Sequence, residues 1–106
     1  MVSKLIKDDQ WVWVVIQNPG GNEQFLGQKD EEKGMSFIPT FLEKEEAEQG
    51  LTLMARDAGR KYEVHAIMFD DLSQRAAEKG FALFLVNGKG EVLEKIDPHQ
   101  PLNLEP

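Results

Sequence analysis

His65 and Glu63 are the first pair in this chain that could do chemistry. They lie two residues apart in a β-type run, so they share one face of a strand. An imidazole beside a carboxylate could act as a general base, but that role needs a nucleophile or a substrate acid within hydrogen-bond reach. No Ser or Cys element is placed to supply one, so a half-exposed strand histidine is the expected reading. Asp70 and Asp71 follow at the carboxyl end of the same run. Open α/β sheets often bind ligands there, and two carboxylates could hold Mg²⁺. Asp is also among the best helix N-caps, and a helical pattern begins at this point, so capping is expected. Asn87-Gly88-Lys89-Gly90 has the look of a phosphate-binding loop. Such loops lead from a strand into a helix, whereas a strand follows here, so a tight hairpin is expected. No catalytic, cofactor or metal site is therefore assigned. A small enzyme, or a metal or ligand sensor, using His65 with Glu63, Asp70 and Asp71 stands as the alternative.

Contact chemistry has the stronger claim. Trp11 and Trp13 alternate along WVWVVIQ and fall on one face of a strand. If no helix covers that face, it forms an apolar patch of the kind found at interfaces; the competing reading is core packing. Phe25 lies on the return arm of the same hairpin. Glu43, Glu45, Glu46 and Glu48 crowd a helix start, where they either dock a basic partner or form a solvated face. Trp11, Trp13, Phe25, Glu43, Glu45, Glu46 and Glu48 make up the candidate interaction surface. Its expected occupant is a protein partner or a second copy, as a homodimer.

The bulk properties narrow the field. A chain of 106 residues has room for a single domain, 1–106, with one modest core. Apolar residues make up 41% and charged residues 29%, an ordinary globular balance. Nineteen acidic against 12 basic side chains give a net charge of −7, which disfavours a phosphate-neutralising nucleic-acid surface. There is no Cys, which excludes disulfides, thiol catalysis and thiolate metal sites and fits a reducing compartment. The opening MVSKLIKDDQ lacks a secretory apolar core, and the run Trp11 to Ile16 is too short to cross a bilayer as a helix. A cytoplasmic protein that engages neither membrane nor nucleic acid is the expectation.

The elements that must position these groups follow from periodicity. Residues 1–10 read as an N-terminal arm. Trp11 to Gln17 is a strand apolar on both faces, as in a strand covered on both sides. Asn18-Pro19-Gly20-Gly21-Asn22 is a turn, Glu23 to Gln28 a returning arm, and Lys29 to Gly34 a charged loop. Ser36 to Phe41 is a strand that Pro39 places at an edge or brings to its end. Glu43 to Ala58 is a helix with Ala47, Leu51, Met54 and Ala58 as its buried stripe. Its Gly50 calls for a close approach, and Gly59 for a left-handed turn past the end. Lys61 to Phe69 is a strand, Asp71 caps the next helix with Gln74 at capping-box spacing, and Gly80 ends it. Phe81 to Val86 is a buried strand. Asn87-Gly88 sets a type I′ turn into Glu91 to Ile96. Asp97 to Pro106 is an extended tail. The order β-β-β-α-β-α-β-β predicts an α+β fold: one mixed sheet of about six strands, with both helices packed on one face.

Phe37-Ile38-Pro39-Thr40-Phe41, followed by Glu43-Lys44-Glu45-Glu46-Ala47, resembles the strand–helix junction of SseB-family N-terminal domains. The likeness continues through Leu72 and through Leu83 to Asn87, and covers about Met35 to Val92. Leu42 departs from it, standing where that family usually has a Ser or Thr cap. Leu accepts no backbone N–H, so either Thr40 caps instead or the helix starts later. The resemblance implies a bacterial accessory or interaction module with no agreed enzymatic activity and no catalytic residues to carry over.

Overall fold

In the computed structural model, residues 3–32 and 34–98 are described. Strands β1 (Trp11–Gln17), β2 (Gln24–Phe25), β3 (Gln28–Asp30) and β4 (Met35–Thr40) precede helix α1 (Lys44–Leu51). Then come β5 (Tyr62–Met68), α2 (Phe69–Lys79), β6 (Ala82–Val86) and β7 (Val92–Ile96). Beyond Pro98 the expected tail lies outside the described residues, as do Met1 and Val2 of the expected arm. The rest of the arm is packed: Ile6 is buried, and the Glu94 carboxylate accepts hydrogen bonds from Ser3 Oγ and the Lys4 and Leu5 amides. Among the described residues no helix is long and apolar enough to cross a membrane.

The α+β class holds, but the single sheet does not. Two sheets form, one in the order β2-β1-β5 and one in the order β3-β4-β6-β7. The expected return arm splits at Gly27, and its second half takes residues from the expected charged loop. Phe25 pairs with Ile16 of β1, whereas Gln28 pairs with Phe37 of β4. At Gly27 the ring of Phe81 occupies the space a Cβ would need. Pro39 completes the break. Alternation puts the backbone groups of Phe37, Pro39 and Phe41 along the same edge of β4. Phe37 faces β3 there, and Phe41 faces Trp13 of β1. Pro39 sits between them, so its missing N–H costs no ladder bond. Among the described residues, only the Trp13–Phe41 bridge, with reciprocal N–H···O bonds of 2.8 and 2.9 Å, pairs the two sheets.

The helices lie on opposite faces, not together. The cluster containing Phe69, Leu72 and Ala76 of α2 takes Val12, Val14, Ile38, Leu83 and Leu85 from the strands. The cluster containing Ala47 of α1 takes Phe41, Ala82, Phe84 and Val86, with Trp13 and Val64 against it. The cause is chain direction. β5 and β4 each run antiparallel to β1, and β6 runs parallel to β4. The chain crosses from β4 over β1 to β5, then returns over β1 and β4 to β6. Right-handed crossovers in opposite directions put their helices on opposite faces. Both faces of β1 are thereby covered along most of its length, as its doubly apolar sequence required.

The helix boundaries also differ from expectation. α1 ends at Leu51, so Met54 is half-buried and Ala58 exposed. Gln28 clamps Ala55 through two 2.9 Å hydrogen bonds, and Arg56 donates to the Leu51 carbonyl that a continuing helix would have used. Gly59 keeps its left-handed conformation, but in a loop well past the helix end. Glu43 is the extended N-cap of α1, without a side-chain cap bond, so the helix starts one residue later than a cap at Leu42 would place it; Thr40 bonds the Ile38 carbonyl instead. α2 is not capped by Asp71. β5 runs straight into it at Met68, and the carbonyls of Gln10 and Asp8 accept the Phe69 and Asp70 amides. Gly80 ends α2 in the left-handed region, as expected. The last hairpin is not type I′: Gly88 lacks positive φ. Asn87 O accepts the Gly90 amide and Gly90 takes φ 83°, a turn followed by a left-handed glycine.

The close approach expected at Gly50 is present. A Cβ there would lie 2.5 Å from the ring of Phe41, which is buried. Gly50→Ala gains about 1 kcal/mol of helix propensity, but overpacking against a fixed ring costs about 1–3 kcal/mol. Urea unfolding of Gly50→Ala is expected to show a net loss of stability; a gain would mean that Phe41 has room to move.

Candidate functional site

Two surfaces carry the residues singled out above, one on each face. The first is the end of the sheets where β1 begins and β4 and β5 finish. The Trp13–Phe41 bridge fixes the backbone of Trp13, whose side chain is half-buried against the α1-side cluster. The Lys44 ammonium sits 5.9 Å from the centre of its ring, within cation–π range. Trp11 lies two residues earlier on the same face, beside Met68 of β5, and is 60% exposed. The tryptophan pair is therefore divided: one indole is packed under Lys44 and one is open to solvent. Glu43 and Glu45 are exposed at the start of α1, Glu46 is half-exposed, and Glu48 is exposed a turn later. Carboxylates there meet the positive end of the helix dipole, so their position stabilises α1 whatever else they do.

Phe25 does not join this surface. It pairs with Ile16 and packs, half-buried, against the α2-side cluster. The candidate set thus falls on two faces. Sequence periodicity could not reveal this, because β2 is only two residues long.

The second surface is a groove of about 250 Å³ between β1, β2, β5 and α2. Its floor is apolar: Val14, Ile16, Phe25 and Ile67. His65, Asp71, Arg75, Lys79 and Glu23 supply its polar wall. His65 Nε2 lies 2.9 Å from Glu63 Oε1, and both side chains are more than one third exposed. Asp71 Oδ1 accepts from Arg75 Nε at 3.2 Å. Asp70 turns to Gln74 instead, 3.3 Å away. The fold therefore brings His65 and Asp71 to one groove and sends Asp70 elsewhere. None of the groove's described lining residues carries a hydroxyl or a thiol. Among the described residues no three His, Asp or Glu groups gather as a metal site.

Sequence reading missed Lys44, Arg75 and Lys79. The last two had a signal, since Asp71, Arg75 and Lys79 recur at i, i+4 and i+8 and so share a helix face. Lys44 had none, because its contact with Trp13 depends on how α1 docks. A smaller apolar hollow of about 140 Å³ lies between the exit of α1 and β7, with Leu53 and Val92 exposed at its rim.

The division of the indoles is measurable. With Trp13→Phe, the remaining Trp11 should emit at long wavelength and be strongly quenched by acrylamide. With Trp11→Phe, the remaining Trp13 should emit further to the blue with a clearly lower quenching constant. Equal quenching of the two variants would contradict the packing described.

No family model, no curated protein and no solved structure matches this chain.

Proposed function

We propose that this protein is a small non-catalytic interaction or assembly module that works by contact, in the cytoplasm, on a protein partner or a second copy. The junction Phe37 to Ala47 and its resemblance to SseB N-terminal domains agree with an accessory role of this kind. The observation that carries the reading is the open indole of Trp11 at the sheet end. An exposed Trp beside a half-buried Trp that carries the Lys44 ammonium over its ring, with the acidic first turn of α1 following in sequence, has the composition of an interface centre with polar neighbours. With a net charge of −7, its favoured partner presents a basic surface. The groups that could do chemistry are meanwhile engaged with near neighbours in sequence: His65 with Glu63, Asp71 with Arg75 and Asp70 with Gln74.

A photo-crosslinking residue placed at position 11 is expected to give a discrete crosslinked species in the source cell, whereas one placed at exposed Lys89 gives none. Crosslinking from neither position would overturn the reading.

The groove beside His65 favours a second reading, a small anionic ligand held by Arg75 and Lys79 over the apolar floor. A carboxylate-bearing metabolite that raises the melting temperature of the protein but not of Arg75→Ala would establish it. No shift across a metabolite and metal panel leaves contact as the working function.

A further inference from the structure

β5 is the outer strand of its sheet, and its pairing with β1 runs unbroken from Trp11↔Met68 to Gln17↔Tyr62. It is seven residues long and contains no proline. Long, unbulged edge strands are templates for pairing with another chain. Which backbone groups are open follows from the bonds of β1. Trp13 spends both of its groups on Phe41, and Val15 O accepts from Leu26, so the odd residues of β1 face away from β5. Their opposite numbers, Tyr62, Val64, Ala66 and Met68, therefore turn their N–H and C=O groups outward. Among the described residues no strand pairs with them.

We infer that β5 pairs antiparallel with β5 of a second copy, in the register that places Glu63 opposite His65. The inference rests on the contact reading above but names a different surface and a specific occupant. Two-fold antiparallel pairing must set outward residues opposite outward residues, which leaves only registers centred on a single residue. Centring on Glu63 sets Glu63 against Glu63 of the second copy, and centring on His65 sets the two histidines together. Centring on Ala66 opposes His65 to Ile67. Centring on Val64 alone sets Glu63 against the second copy's His65, and by symmetry does so twice. These fall at non-hydrogen-bonded positions, where side chains approach most closely. Both lie on the α2 side, where they already meet within one chain at 2.9 Å. In the same register Val64 faces Val64, and Tyr62 faces the small, exposed Ala66.

Sedimentation equilibrium up to about 1 mM protein, a range that reads a weak dissociation constant, tests the inference. A concentration-dependent dimer is expected. Ala66→Pro removes an outward N–H that β1 does not use and is expected to leave a folded monomer. His65→Glu opposes two carboxylate pairs and should weaken association about tenfold. Combining it with Glu63→His exchanges the partners and should restore the dimer. If Ala66→Pro does not fold, the His65→Glu series decides. A wild-type monomer throughout overturns the inference, as does a dimer indifferent to both changes. A dimer lost only in Trp11→Ser would likewise overturn it while leaving the contact reading intact.

Discussion

Two backbone hydrogen bonds between Trp13 and Phe41 hold this architecture together. On one side of the bridge, β1 carries β2 and β5; on the other, β4 carries β3, β6 and β7. Each sheet alone would leave apolar faces in water, and joining them lets each helix cover residues from both. The bridge also sets the orientation of Trp13, and through it the seat of Lys44. Flanking it, Pro39 and Gly27 keep the sheets from closing into one. A proline removes a donor where no acceptor waits, and a glycine lets the chain pass beneath Phe81 from one sheet to the other.

Reversal of chain direction determines the layering. Because the chain travels outward to β5 and back to β6, right-handed crossovers distribute the helices to both faces. The α2-side core is the larger, and Ile6 and Ile96 close it. The α1-side core is thinner, and polar stems supplement it. Phe37 and Phe84 stack with centroids 4.0 Å apart, and Lys95 lies across Phe84 at 5.1 Å. The same ammonium stands 3.8 Å from Asp30, whose carboxylate is largely buried. A cation that covers an aromatic ring and neutralises a carboxylate joins β7 to β3 across the sheet.

Polar side chains serve the scaffold in a consistent way. Glu94 ties down the N-terminal arm, Gln28 ends α1, and Tyr62 Oη takes the Asp57 amide and donates to the Asp57 carbonyl. Each satisfies backbone groups in loops or at chain turns, where no ladder can. Among the described residues, the exposed apolar side chains of Trp11, Leu53 and Val92 and the outer backbone edge of β5 are open to solvent.

Residue pattern alone located most strands and the second helix, because alternation and helical spacing are local properties of side chains. It marked β1 as covered on both faces, Gly80 as a helix end and Gly50 as a point of close approach. It also marked the doublet Asp70-Asp71 as part of a helix start, although not which residue caps it. The split at Gly27, the early end of α1, the capping of α2 by Gln10 and Asp8, and the separation of Phe25 from the tryptophans were decided elsewhere. Each depends on a hydrogen bond or a ring from a segment distant in sequence. Local patterning says which groups want burial or partners; only the folded chain brings the partners within reach.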